Sequence, residues 1–279
     1  MQLSWATPLY IIALYGLVVF FGRQRKTEVG AKQRFTWSPI ESVGVTLFIY
    51  FAGQIIGSLI AFGFPALFGW DKNRIVDWIS NDAVGQFIAV FLIEVITVGL
   101  LIWFLRRRSA TLKTIGLGRR PKYSDVGYAL LALIGYFLAY IAATSLLKAV
   151  IPSLNLDQQQ QIGFKSVTNV QLPLVFISLV VLPPIAEELM VRGFLYTGLK
   201  KGAPAAVAVI ATSGLFAMAH LQAGTGEPLL WVAAIDTFVL SLFLITLREK
   251  TGSLWSSITL HALKNGIAFL SIFVFHIVK

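Results

Sequence analysis

The chain has 279 residues, of which 57% are hydrophobic and only 13% charged, and its mean hydropathy is +0.77. Several apolar runs reach the roughly 20 residues a helix needs to cross a bilayer, which excludes an ordinary soluble domain and gives a polytopic membrane protein. The net charge of +10 does not point to nucleic acid, because Lys and Arg cluster between apolar runs as the positive-inside bias requires, and the lack of cysteine excludes disulfides and thiolate chemistry.

Eight spans are expected, near 7–22, 43–69, 85–105, 126–150, 171–199, 203–220, 228–247 and 253–277. All should be helical, since lipid offers backbone groups no other partner, so the fold class is all-α: one bundle of about eight transmembrane helices. No basic residue precedes the first run, and Arg23, Arg25 and Lys26 follow it, so that run reads as an uncleaved span entering from outside. The loop at 106–125 holds seven Lys and Arg residues, Arg106, Arg107, Arg108, Lys113, Arg119, Arg120 and Lys122; Lys200, Lys201, Arg248 and Lys250 mark the next two alternate loops. Those loops should be cytoplasmic, both termini extracytoplasmic, and the protein multi-pass in the cell membrane among its lipids. The chain divides into N-terminal spans and cytoplasmic loops, 1–125, and a C-terminal bundle, 126–279. The polar stretch 155–169, with its run of glutamines, reads as an exposed loop.

The chemistry begins in the fifth span with PPIAEELMVRGFLYTGL, residues 183–199. Pro183 and Pro184 cannot donate to a helical ladder, so they interrupt the span or mark a fresh helical start. At 100° per residue, Glu188 and Arg192 lie about 40° apart in the orientation that favours an ion pair, whereas Glu187 lies about 140° from Arg192. One carboxylate has a local counter-charge and the other does not, which makes Glu187 the first candidate base. The plainer reading is a polar cluster snorkelling to the cytoplasmic helix end. Glu187 is ~20 Å from that end, too deep for easy snorkelling, and ionisable groups inside a membrane are costly and usually functional.

Two further pairs share the i, i+4 spacing: Phe216 and His220 in FAMAH of the sixth span, and His261 and Asn265 in HALKN of the eighth. A lone membrane histidine more often hydrogen-bonds a neighbouring helix than catalyses. A carboxylate, two imidazoles and a carboxamide together are the parts that activate water and hold an oxyanion. EELMVR, FAMAH and HALKN, in this order, resemble the EExxxR, FxxxH and HxxxN signatures of the CAAX prenyl protease 2 and bacteriocin-processing (CPBP, Abi) intramembrane peptidases, over roughly 171–275. The resemblance implies a glutamate-type membrane endopeptidase without a cofactor, acting on a peptide or lipid-modified protein. Glu187 and His220 would activate water, His261 and Asn265 would hold the oxyanion, and Glu188 and Arg192 would orient the site. Phe216 is expected to pack beside His220.

A zinc peptidase is the competing enzyme reading, with His220, His261 and Glu187 as ligands, although HExxH is lacking. A transporter or silent scaffold is the competing class; Glu94, a carboxylate within the third span, favours it most. Counting along straight helices puts Glu187 ~20 Å, His261 ~12 Å and His220 ~26 Å from the cytoplasmic ends, so tilt or an irregular helix must bring them together. The same count puts Lys264 and Asp236 at equal depth, ~18 Å, on neighbouring antiparallel spans, and an ion pair between them is expected.

Overall fold

The computed structural model describes residues 37–156, 163–164, 167–221 and 230–277. Eight helices lie in these segments: α1 Pro39–Leu67, α2 Lys72–Asn81, α3 Ala83–Arg107, α4 Tyr123–Val150, α5 Asn169–Lys200, α6 Ala205–Ala219, α7 Trp231–Thr251 and α8 Trp255–Val274. Six of them, α1, α3, α4, α5, α7 and α8, are long and apolar enough to cross a membrane, and no strand occurs among the described residues. The chain is therefore a helical polytopic membrane bundle. Its expected first span, 7–22, lies outside the described residues.

The sixth expected span is a helix where the sequence put it, but it is short. Its 15 residues rise ~22 Å against a hydrocarbon core of about 30 Å. Between α1 and α3 stands an unanticipated amphipathic helix, α2, with Asp71 capping its start through its carboxylate and Asp82 capping that of α3. Trp70 and Trp78 pack edge-on here, and the Arg74 guanidinium lies 3.9 Å from the Trp70 ring centre. Aromatic bodies with polar tips suit a membrane–water boundary.

Local chemistry sets the register of the other helices. Ser38 and Glu41 form a reciprocal capping box ahead of Pro39 at the start of α1. The α1 and α3 backbones approach closely at Gly57, where a Cβ would fall 2.7 Å from the Ile93 side chain. Gly252, at φ +64°, ends α7 in the left-handed region and lets α8 double back beside it. The loop after α3 is anchored to the bundle: Leu254 donates its N–H to the Gly116 carbonyl at 3.1 Å, and Arg119 grips the buried Asp125 of α4 at 2.5 Å. Asp125 also accepts from Ser256 of α8 at 2.7 Å. One hydrophobic core joins α1, α3, α5 and α6 around Phe194, Leu195 and Leu199, and a second joins α4, α7 and α8 around Tyr136, Leu240 and Leu244. The outward face of α4 carries Leu131, Leu138 and Leu146, as a lipid-facing helix does.

Candidate active site

Helix α5 runs without a break from Asn169 to Lys200 but is not regular. It opens into a π turn at Ile177–Val181, tightens at Leu182–Glu188, and widens again at Leu189–Leu195. The prolines account for the first irregularity. The Leu179 carbonyl would accept from residue 183 in an α-helix or 184 in a π-helix, and both are proline, so neither donor exists. Asn265 of α8 supplies the missing donor, its Nδ2 lying 2.9 Å from that carbonyl. The carboxamide expected to face an oxyanion thus spends one of its two amide hydrogens on the helix that carries the glutamates.

Glu188 and Arg192 pair as the angular argument requires, at 2.8 Å, with neither side chain exposed. The same oxygen, Oε1 of Glu188, also lies 3.1 Å from Nδ1 of His261. Arg192 rests over the Phe216 ring, 4.1 Å from its centre, and that ring meets the His220 and His261 imidazoles at 4.7 and 6.0 Å between centres. Phe216 does pack beside His220, and its ring also contacts the buried cation and the His261 imidazole.

Glu187 projects elsewhere. Its Oε2 lies 3.8 Å from Nε2 of His261 and 4.0 Å from Nε2 of His220, and has no hydrogen-bond partner among the described residues. His220 ends α6 as its C-cap, and its Nδ1 lies 2.9 Å from the Phe216 carbonyl. A carbonyl only accepts, and the arginine-paired Glu188 carboxylate only accepts, so Nδ1 carries the hydrogen in both imidazoles. Both Nε2 atoms therefore turn towards Glu187. Glu187, His220, His261 and Asn265 line one cavity together. Among the described residues, no group of three or more His, Asp or Glu side chains is disposed to hold a metal ion.

Residues 169–267 match the family model for Rce1-like type II CAAX prenyl endopeptidases. This segment is similar to an Rce1-like domain. It contains all seven residues of the three motifs, in agreement with the resemblance read from the sequence. No curated protein and no solved structure matches the chain.

The matched segment also holds the expected pair of Lys264 and Asp236, at 2.7 Å. Equal depth on adjacent helices predicts this contact, because a lone charge at that level is costly. Asp236 accepts a second hydrogen bond, from the Tyr136 hydroxyl of α4, outside the matched segment. Tyr136 was missed because nothing in a one-dimensional pattern says that a tyrosine 100 residues away shares a depth and a facing side with Asp236. Lys264 lines the same cavity as Glu187 and His261. The contact of Glu188 with His261 escaped for the same reason: each motif gives spacing within its own helix, and this bond runs between helices.

Proposed function

We propose that the chain is an intramembrane endopeptidase that hydrolyses a peptide bond of a membrane-associated protein or peptide, lipid-modified proteins included, by glutamate-activated water. The observation that carries this reading is the position of Glu187 Oε2, without a hydrogen-bond partner among the described residues and facing two imidazole Nε2 atoms in a cavity. A water held there donates one hydrogen to the carboxylate and the other to a bare Nε2, which turns its oxygen lone pair outwards. As it attacks the peptide carbonyl, Glu187 takes the proton and later returns it to the departing nitrogen. The developing alkoxide needs donors. Asn265 has its second amide hydrogen and Lys264 adds a nearby positive charge, beside the His261 ring that Glu188 holds. Glu188 and Arg192 act as positioning residues: they fix the His261 ring rather than touch the substrate.

The test is cleavage of a membrane-anchored reporter peptide by purified protein. Glu187→Gln keeps volume and removes the basic lone pair, so turnover should fall about a hundredfold or more while the protein stays folded. Undiminished cleavage by that variant would overturn the reading. On this reading no metal ion takes part, so exhaustive chelation should leave the wild-type rate unchanged; loss of activity that zinc restores would instead make His220, His261 and Glu187 ligands.

A further inference from the structure

Lys264 follows His261 by three residues and precedes Asn265 by one. The three fall within about 100° of one another around α8, and all line the cavity that holds Glu187 and His220. Among the described residues lining that cavity, Lys264 is the one Lys or Arg. Lysine carries its charge on a flexible four-carbon stem, and an untethered ammonium inside a membrane swings towards the nearest interface. Here Nζ is tied to Oδ2 of Asp236 at 2.7 Å, with the lysine side chain 22% exposed and the aspartate 9%. The other aspartate oxygen, Oδ1, accepts from the Tyr136 hydroxyl of α4. Tyr136 is buried, and its ring stacks on Tyr140 and meets the edge of Phe243 of α7. Gly135 admits Phe243, because a Cβ there would stand 2.9 Å from its ring. A carboxylate with one oxygen held by a hydroxyl and the other by an ammonium cannot turn without losing both bonds. The packing of α4 on α7 thus reaches the cavity through Tyr136, Asp236 and Lys264 in series. Stability alone does not call for this chain, since apolar residues of equal volume serve a bundle as well as a buried ion pair does.

We propose that Tyr136 and Asp236 are positioning residues of the endopeptidase, which hold the Lys264 ammonium still at the wall of the cavity where the peptide carbonyl is attacked. The inference rests on the proteolytic reading and deepens it, extending the working parts to α4, outside the segment that the family model matches. As the water oxygen bonds to the carbonyl carbon, its proton passes to Glu187, and the negative charge passes from Glu187 to the alkoxide. A cation already fixed in place attracts that charge without reorganising, whereas a swinging lysine would first have to be gathered from many rotamers. Loss of the Tyr136 hydroxyl therefore acts on the chemical step, through Lys264, and not on affinity for the peptide.

The full chain in lipid nanodiscs is given a membrane-anchored reporter peptide, and kcat and KM are measured separately. Tyr136→Phe keeps the packed ring and should lower kcat about tenfold, with KM changed by less than about twofold. Lys264→Met should lower kcat about tenfold or more, and adding Tyr136→Phe to it should lower kcat no further. Losses that multiply in the double variant, or a Tyr136→Phe effect confined to KM, overturn the positioning role. Charge rescue guards against a folding defect. The chain has no cysteine, so one preparation of Lys264→Cys is divided and alkylated at that position alone. With 2-bromoethylamine the sulfur displaces bromide and gains an ammonium at lysine length; with iodoacetamide it gains a neutral amide. The ammonium form should turn over at least about fivefold faster than the amide form, and equal rates overturn the inference. No cleavage by wild type, or undiminished cleavage by Glu187→Gln, refutes the proteolytic reading and this inference together. Cleavage that needs Glu187 but is indifferent to Tyr136→Phe and Lys264→Met refutes this inference alone.

Discussion

The two adjacent glutamates differ in what surrounds them, and their variants should differ in kind. Glu188 compensates a fully buried guanidinium. Glu188→Gln should therefore lower stability by about 3–5 kcal/mol, because an uncompensated charge is left inside the bundle. Thermal melting in detergent checks this, and Glu187→Gln in the same assay should melt like wild type. A normal melting curve for Glu188→Gln would remove its structural role. Phe216→Leu keeps an apolar side chain but withdraws the ring face from Arg192, and should cost about 0.5–2 kcal/mol, partly recovered by Phe216→Tyr. At this scale the sequence was informative for anything that repeats along one helix. The spacing of Glu188 and Arg192 predicted their contact, and equal depth predicted that of Lys264 and Asp236. It was silent on Glu188 with His261 and on Tyr136 with Asp236, because those partners are chosen by how separate helices rotate and cross.

Helix α5 is where local rules and the site meet. Pro183 and Pro184 could be read as an interruption, but they do not break the helix: a π turn absorbs the missing donors, and a side chain of α8 satisfies the stranded carbonyl. Asn265→Ala should leave the Leu179 carbonyl without a partner at a cost of about 1–3 kcal/mol. Pro183→Ala restores an N–H four residues on, so the double variant should lose less than the sum of the two single changes; additivity in the melting temperatures would show that the carbonyl is not the shared element. Two other elements show the limits of hydropathy. Helix α2 is not one of the long apolar runs, because Lys72, Asn73, Arg74 and Asp77 make it polar. In the sequence, the loop at 106–125 shows only a topogenic charge cluster. Arg119 in fact ties the start of α4 to that of α8 through Asp125.

For the whole molecule, the basic ends of α3, α5 and α7 mark the side expected to face the cytoplasm. The chain contains no cysteine, so single replacements report orientation against a clean background. Thr111→Cys should react with an impermeant maleimide from the cytoplasmic side only, and Asn73→Cys from the opposite side only; the reverse pattern would invert the assignment. Chain length and hydropathy made the helical bundle legible, since lipid leaves the backbone few choices. They did not show that α1 and α3 contribute walls to a cavity reaching Glu187, because apolar periodicity cannot distinguish a face turned to lipid from one turned to a chamber.

The bond from Asn265 to the Leu179 carbonyl also bears on how the protein meets membranes of different thickness. Helices adjust to a thinner or thicker bilayer by tilting and sliding, and a slide of one residue moves a side chain ~1.5 Å along its neighbour. Asn265 is four residues from His261, and Leu179 eight residues before Glu187, so their bond works as a pin between the helix bearing the carboxylates and the helix bearing an imidazole. Lipid thickness can then tilt α5 and α8 as a pair without shearing one past the other. The ratio of cleavage rates in short-chain and long-chain lipid should stay near unity for wild type and depart from it in Asn265→Ala, whatever that change does to the rate itself.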